Sequence, residues 1–248
     1  MPKNKMLKMF KSDLHIHTCL SPCADLKMSP TTIAMKARES SIDILGICDH
    51  NSAENVPAVI EAAAEYEIRV LPGIEVTSLE EIHILALFDN VSSALHLQEL
   101  IYKNLPGEND EEAFGMQVVV NKNDEVLHFN KKLLIGASTF TIDKVIHLIH
   151  DFNGIAIAAH IDRESFSLLG QLGFLPDNLE LDALEISRRM SFEQAASKYN
   201  FPLPIIQSSD AHFPDDIGKG YTQFYMKEGT IEEIKMAFSN RKRRKILH

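Results

Sequence analysis

The chain has 248 residues, of which 45% are hydrophobic and 24% are charged, which is the composition of a globular protein and not of a disordered one. Its formal net charge of -10 argues against a surface that captures a polyphosphate backbone, because such binding requires Lys and Arg to neutralise phosphates. We therefore expect no stable nucleic-acid complex, whereas a small anionic substrate at a local positive site remains compatible.

Both ends of the chain are basic. Residues 1–11 contain no apolar stretch of signal-peptide length, and no later segment is long enough to span a membrane, so the sequence predicts a cytoplasmic protein without a membrane partner. The basic run 241–245 could contact nucleic acid or an anionic membrane. The favoured interpretation is a solvated run, since cations suit the end of a final helix.

The chain has three cysteines, an odd number that cannot pair completely and that indicates a reduced intracellular set. Cys19 and Cys23 could bind a metal or oxidise together. For both, free thiols beside a polar site are the favoured interpretation. Cys48 is the third cysteine of the chain.

In chain order, apolar runs of strand length alternate with helical patterns, as in strands joined by crossover helices. Strands are predicted at 8–14, 42–48, 69–76, 82–88, 154–159, 183–187 and 204–209. Helices are predicted at 30–40, 55–67, 92–104, 141–152, 191–199 and 230–240. No repeat or low-complexity linker divides the chain, so a single domain over residues 1–248 is expected.

One segment, 105–138, breaks this alternation. It contains two short alternating runs, 116–121 and 125–130, joined by Lys122-Asn123-Asp124. This pattern predicts a β-hairpin on a surface excursion. The excursion could shape access of a substrate, or it could be a decorative loop.

Six of the eleven histidines and several acidic residues lie at or near the ends of predicted strands. A lone histidine is usually structural, but in an alternating barrel the carboxyl ends of the strands converge on one face, where these side chains should meet. The histidines are His15, His17, His50, His83, His160 and His212. The acidic residues are Asp13, Asp25, Asp49, Glu75 and Asp210.

His15 and His17 are two residues apart, so on an extended strand both imidazoles point to the same side. This geometry forms a clamp for a divalent metal, and Asp210 and His212 repeat the spacing with a carboxylate. A ligand set of imidazoles and carboxylates suits zinc, manganese or iron and needs no thiolate.

His83 begins its predicted strand, whereas the other candidate ligands end theirs. The connection from the preceding strand is too short for a parallel crossover, so the third and fourth strands should form an antiparallel hairpin. A turn at residues 78–80 would place Glu75 opposite His83.

Six motifs from Asp13 to about Thr222 resemble those of the PHP (polymerase and histidinol phosphatase) superfamily of phosphoesterases. They are DLHIHT at 13–18, DHN at 49–51, GIEVTS at 73–78, HILALF at 83–88, AAHIDR at 158–163 and SSDAHF at 208–213. The resemblance implies an α/β fold, a distorted (β/α)7 barrel, with up to three divalent metal ions (Mn, Zn or Fe) at its mouth.

The resemblance also implies which residues hold each metal. The first would bind His15, His17, Glu75 and Asp210. The second would share Glu75 and add His83 and His160. The third would bind Asp25, His50 and His212, although the family usually has Ser-Asp-Gly where this chain has Ala24-Asp25-Leu26.

Two further residues are candidates for catalytic roles. Arg163 matches an arginine that holds phosphate in the subgroup acting on nucleotide 5′-phosphates, although that subgroup usually has a proline at Ile161 and a larger helical insertion than 105–138. A surface salt bridge is the alternative for Arg163. Asp49 could protonate the leaving oxygen or could orient an imidazole.

Together these features predict a metal-dependent phosphoesterase. The expected substrate is a small phosphate monoester, or a nucleotide or short-oligonucleotide phosphate, hydrolysed by metal-activated hydroxide. A histidinol-phosphate-type phosphatase of small metabolites and a non-catalytic metal-bound regulatory module are the alternatives. An amidohydrolase is less favoured, because no lysine lies on a predicted strand end for a bridging modified lysine.

Overall fold

The computed structural model describes residues 6–247, so residues 1–5 of the basic N-terminal segment and residue 248 lie outside the described residues. The strands are β1 Lys8–Ile16, β2 Ile44–Ile47, β3 Arg69–Thr77, β4 His83–Leu87, β5 Val118–Val120, β6 Val126–Phe129, β7 Ile155–Ala158, β8 Ala183–Ile186, β9 Ile205–Gln207, β10 Thr222–Met226 and β11 Lys245–Leu247. The α-helices are α1 Pro30–Glu39, α2 Val56–Ala64, α3 Val91–Lys103, α4 Glu111–Phe114, α5 Ile142–Asp151, α6 Leu168–Leu172, α7 Phe192–Lys198 and α8 Ile231–Phe238. All seven predicted strands and all six predicted helices are confirmed.

Nine strands form one mixed sheet in the order β11-β10-β1-β2-β3-β4-β7-β8-β9. β1, β2 and β3 are parallel, as are β7, β8 and β9, while β4 is antiparallel to both of its neighbours. A bridge between Ile16 and Ala211 joins the end of β1 to the segment after β9. The seven predicted strands thus curl into a nearly closed barrel, and the predicted α/β barrel class is confirmed.

The β3–β4 hairpin is antiparallel as predicted, but the predicted pairing of Glu75 with His83 is wrong. His83 pairs with Thr77, and Glu75 pairs with Leu85. The turn has three residues as predicted but lies one residue later, at 79–81, since the Ser78 amide donates to the Ile82 carbonyl at 2.9 Å. The register therefore moves by two residues, which leaves the side chains of Glu75 and His83 on the same face of the sheet.

Successive side chains of each strand point alternately into the barrel and toward the helices that cover it. On β3, Ile74 and Val76 pack in the larger apolar cluster with the helices, whereas Leu71 packs in a second cluster inside the barrel. Glu75 lies four residues after Leu71 and so points to the same inward face of β3. Because it is near the end of the strand, its carboxylate lies at the barrel mouth.

Two strands were not predicted. β10 pairs antiparallel with β1, placing Phe224 opposite Phe10, and β11 pairs with β10 at the sheet edge. The basic run 241–245 folds back with β11 and is not wholly solvated, because the buried Arg244 donates to Glu233 at 2.7 and 2.9 Å.

The predicted hairpin is formed by β5 and β6. β5 is buried and β6 is exposed. The Val118 amide donates to the Cys19 carbonyl at 3.1 Å, and Val119 packs in a small apolar cluster with Leu20. The excursion is therefore anchored on the loop that follows β1. Within residues 6–247, no helix is both long and apolar enough to cross a membrane.

Candidate metal centre

The six predicted histidines converge at the mouth of the barrel. The ring centroids of His17 and His212 are 4.2 Å apart, and those of His17 and His50 are 4.7 Å apart. His83 lies 5.1 Å from His50 and 5.4 Å from His160 by the same measure. These rings come from the ends or starts of five separate strands, so the barrel topology is what brings them together.

The Glu75 carboxylate lies at the centre of these rings and is buried. Its oxygens are 2.8 to 3.4 Å from one nitrogen of each of five imidazoles, those of His15, His17, His50, His83 and His160. Burial alone would raise the pKa of Glu75, but the surrounding histidines hold it well below its usual range. The carboxylate is thus an anion that several cations could share.

Asp210 is the second carboxylate of the cluster. Its Oδ1 atom is 3.3 Å from His15 Nε2 and 3.2 Å from His17 Nε2, and its Oδ2 atom is ion-paired with Arg163. Burial would raise the pKa of Asp210, but His15 and His17 lower it well below its usual range. Asp210 is therefore also ionised.

The imidazoles differ in charge state. Burial lowers the pKa of His83 to about 4 and lowers that of His17 well below its usual value, so both are neutral at pH 7, the form that binds metals. For His15 and His50, burial also acts to lower the pKa, but carboxylates led by Glu185 and Glu75 respectively raise it well above its usual value. Cations that bound here would displace protons from these two rings.

The unsatisfied atoms of the cluster fit divalent metal ions. Among residues 6–247, His50 Nδ1 and His83 Nδ1 lie 3.0 and 2.8 Å from the Glu75 carboxylate, and these two nitrogens, Glu75 Oε2 and His160 Nδ1 are buried without meeting the geometry of a hydrogen bond. Such atoms are costly to bury unless another partner binds them. Three groups have ligand atoms that all lie within 4.8 Å of one another. They are His15-His17-Glu75, His50-Glu75-His83 and His17-His50-His212. Imidazoles with a carboxylate suit zinc, manganese or iron.

Glu185, at the end of β8, is a site residue that the sequence analysis missed. It is buried, and its Oε2 atom is 3.0 Å from His15 Nδ1 and accepts the His160 backbone amide at 3.1 Å. An acidic residue inside the apolar run Ala183–Ile186 was the available signal, since a buried carboxylate requires partners.

Asp49 faces the loop after β1. It accepts hydrogen bonds of 2.7 Å from the Thr18 amide, the Thr18 hydroxyl and the Ser21 hydroxyl. Ser21 Oγ is also 2.9 Å from His17 Nδ1. Because the single Ser21 hydroxyl proton is donated to Asp49, its oxygen accepts from the His17 ring. Asp13, which was also singled out by its strand-end position, accepts from the Ser209 and Gly218 amides at 3.0 and 2.9 Å.

Asp25 and Cys23 lie on the loop between β1 and α1 and have different partners. Asp25 Oδ1 accepts the Lys27 amide at 2.8 Å, and the three ligand groups found among residues 6–247 include neither Asp25 nor Cys23. Cys23 Sγ lies 3.1 Å from His212 Nε2. Burial would raise the pKa of Cys23, but hydrogen bonds with His212 and His50 lower it to about 6.

A pocket of about 220 Å³ opens onto this cluster. Its rim includes Ile135 from the 105–138 excursion, Arg163 and Phe166. Arg163 is 44% exposed in its side chain, and the Phe166 ring stacks on His83 with centroids 4.9 Å apart. The cluster is therefore reached from solvent past a cation and an aromatic face.

Comparison with known proteins gives a consistent result. Residues 13–172 match the PHP domain family, and residues 191–242 match the PHP-associated family. The uncharacterized protein YqxK of Bacillus subtilis (strain 168) is 26% identical over 261 residues, covering 97% of this chain and 65% of its own length. A 5'-3' exoribonuclease of Haemophilus influenzae is 32% identical over 80 residues, 31% of this chain and 28% of that protein.

Two solved structures have a similar fold. The lesion-specific endonuclease PfuEndoQ of Pyrococcus furiosus superposes with a TM-score of 0.72 at 19% identity, over 96% of this chain and 58% of its own. A putative metal-dependent phosphoesterase of Bifidobacterium adolescentis superposes with a TM-score of 0.52 at 19% identity, over 81% and 87% of the two chains. The present chain thus spans less than two thirds of YqxK, the exoribonuclease and the endonuclease.

Proposed function

This chain belongs to the PHP family, and from that premise we propose that it is a metal-dependent phosphoesterase whose active site is the pocket beside Glu75. The observation that carries the proposal is the contact of one buried carboxylate with five imidazoles, next to Asp210 and Arg163, in a pocket open to solvent. Packing alone gives no reason to bury so many ionisable groups together.

We assign two metal sites to this core. The first consists of His15, His17, Glu75 and Asp210. The second shares Glu75 and adds His83 and His160. Divalent ions held there would supply an activated water and neutralise charge on phosphoryl oxygens.

The remaining residues of the site position these ligands. Glu185 holds the proton of His15 at Nδ1, and Ser21, itself held by Asp49, holds the proton of His17 at Nδ1. The Nε2 atoms of both rings face Glu75 and Asp210, and a cation bound there would displace the second proton of His15. We therefore propose that Asp49 is a positioning residue for His17.

Arg163 is the phosphate-binding residue of the proposal. Its half-exposed guanidinium reaches the pocket and pairs with one oxygen of Asp210. A guanidinium offers five N–H donors, so this pair leaves donors for phosphate oxygens. The Arg163 guanidinium also neutralises part of the negative charge of Asp210, so that this carboxylate repels a bound phosphate less.

The size of the pocket favours a substrate that inserts only its phosphate group. Its volume of about 220 Å³ is smaller than the ~300–1,000 Å³ typical of pockets that enclose a whole small ligand. The rest of the substrate would lie outside, where Phe166 is 42% exposed and could stack on a base. We propose a nucleotide or short-oligonucleotide phosphate, and the names of the exoribonuclease and endonuclease relatives support this choice.

A phosphatase of small phosphorylated metabolites is the second candidate. The small pocket accepts any phosphate monoester, and the net charge of -10 disfavours a long polyanion. The two candidates differ in whether groups beyond the phosphate contribute to binding.

The test is hydrolysis by purified protein reloaded with Mn²⁺ or Zn²⁺. The panel contains p-nitrophenyl phosphate, bis-p-nitrophenyl phosphate, mononucleotides, 5′-phosphorylated and 5′-hydroxyl dinucleotides, and histidinol phosphate. The inactivating variant is Glu75→Gln, and its matched control is Glu99→Gln, which changes an exposed glutamate on α3.

We expect metal-dependent turnover that is lost in Glu75→Gln and kept in Glu99→Gln, with kcat/KM highest for phosphorylated dinucleotides. Highest turnover of histidinol phosphate would favour the second candidate. Absence of turnover on every substrate at full metal loading would leave a non-catalytic metal-bound module and overturn the proposal.

A further inference from the structure

The loop between β1 and α1 brings a sulfur atom to the edge of the histidine cluster. Cys23 Sγ is 3.1 Å from His212 Nε2. His50 and His212 belong with His17 to one of the three groups whose ligand atoms lie within 4.8 Å of one another. Cys23 therefore lies against one ligand of a group that already has the spacing of a metal site.

Asp25, the residue expected here from the family resemblance, faces elsewhere. Its Oδ1 atom accepts the Lys27 amide at 2.8 Å and so closes a local turn. Its own amide donates to the His212 carbonyl at 2.9 Å, a contact that ties the loop backbone to His212, and Asp25 is not among the residues that line the pocket.

We propose that Cys23, and not Asp25, is the ligand that completes a third metal site with His50 and His212, and that this thiolate-containing site takes zinc. The inference deepens the proposed function and rests on it. It differs from the sequence expectation, in which all the ligands were imidazoles or carboxylates.

The distances favour this ligand set. Bonds of about 2.3 Å from zinc to sulfur and about 2.0 Å to nitrogen separate two tetrahedral ligands by roughly 3.5 Å. Cys23 Sγ and His212 Nε2, at 3.1 Å, need to move apart by only a few tenths of an ångström. His50 supplies an independent indication, because it lines the same pocket as Cys23 and His212.

The chemistry of the ligand determines the metal. Sulfur is a soft ligand that favours zinc over manganese or magnesium, whereas the carboxylate-rich sites around Glu75 accept harder ions. Cys23, His50 and His212 would hold the metal in their deprotonated forms, and the protons that they carry would leave to solvent. The third site should thus differ from the other two in metal preference.

Cobalt substitution tests the ligand directly, since a thiolate bound to Co²⁺ gives a charge-transfer band in the near ultraviolet. The metal-free full-length protein is titrated with Co²⁺, and zinc content is measured separately after zinc reloading. The variants are Cys23→Ala and Asp25→Asn, and the matched control is Cys19→Ala, which removes a cysteine buried against β5.

We expect the band in the wild type, in Asp25→Asn and in Cys19→Ala, and its loss in Cys23→Ala together with one zinc equivalent. Persistence of the band in Cys23→Ala, or loss of the third zinc in Asp25→Asn alone, would overturn the inference. If Cys23→Ala fails to fold, X-ray absorption at the zinc edge of the wild type decides, because the proposal requires a sulfur scatterer at about 2.3 Å.

This result is separable from the proposed function. A phosphoesterase without the cobalt band would overturn the Cys23 assignment and keep the activity. A protein that shows the band and hydrolyses no phosphoester would keep the Cys23 assignment and overturn the activity.

Discussion

Glu185 Oε2 accepts a hydrogen bond from His15 Nδ1, 3.0 Å away, and so joins the end of β8 to β1 across 170 residues of sequence. Replacing Glu185 with Gln would remove the negative charge that fixes the proton on Nδ1 and orients the ring. We expect the affinity for Zn²⁺ or Mn²⁺ to fall roughly 10–100-fold, as for other partners of metal-binding histidines. Calorimetric titration of the metal-free protein measures this directly.

The control for this change is Glu180→Gln, which alters an exposed glutamate shortly before β8. It should bind metal like the wild type. Unchanged affinity in Glu185→Gln would show that His15 is oriented without the Glu185 carboxylate.

Ser21 connects Asp49 to His17, and its Oγ atom also accepts the His50 amide at 3.2 Å. Ser21→Ala would leave the His17 Nδ1 proton without its partner. We expect kcat at saturating metal to fall at least tenfold, and the His17 ring to show a mixture of tautomers by ¹⁵N NMR. Ser92→Ala, at an exposed position on α3, should leave both readouts unchanged. A single Nδ1–H tautomer in Ser21→Ala would contradict the role given to the hydroxyl.

Much of the fold could be predicted because its strands are buried and apolar while its helices repeat at a helical period. The register of β3 with β4 could not, since it depends on the conformation of one turn, in which Glu81 has a φ of 58°. β10 and β11 were missed because they follow the predicted barrel and add to its edge through pairing with distant β1.

The site was predictable only in part. Strand-end positions indicated which histidines would meet, and the structure brings all six together. Glu185 and Cys23 were not assigned to it, because their partners are His15 and His212, which lie 170 and 189 residues away in sequence. Such contacts follow from barrel closure, and a local sequence pattern does not report them. The metal-binding roles of the ligands stay predictions.

Arg163 is expected to act on substrate binding. Arg163→Ala removes charge-assisted hydrogen bonds to phosphate, each worth about 1.5–3 kcal/mol, so we expect KM to rise roughly 10–100-fold with a smaller change in kcat. Steady-state kinetics on p-nitrophenyl phosphate and on a 5′-phosphorylated dinucleotide provide the measurement. Arg189→Ala, an exposed arginine after β8, is the control. Equal kinetics in Arg163→Ala and the wild type would leave Arg163 only its salt bridge with Asp210.

Glu233 and Arg244 form a buried ion pair that attaches the basic tail to α8. The hydrogen bond from Arg244 is the main cause that lowers the pKa of Glu233 below its usual value. A carboxyl group with a lowered folded pKa adds stability above its unfolded pKa of about 4.3, and this stability is lost as the pH falls through the folded pKa. We expect Glu233→Gln to lower Tm at pH 7 by roughly 5–10 °C, because Arg244 stays buried without its anion.

The pH dependence separates this ion pair from simple packing. Glutamine fills nearly the same volume as glutamate, so a packing defect would lower Tm equally at every pH. Loss of the ion pair instead predicts that the difference in Tm shrinks as the pH falls below the unfolded pKa of about 4.3 toward the lowered pKa of Glu233 in the folded protein. Glu232→Gln, the exposed neighbour on α8, should follow the wild type throughout. A Tm difference for Glu233→Gln that is constant from pH 7 to pH 3 would mean that the charge of Glu233 does not hold the tail in place.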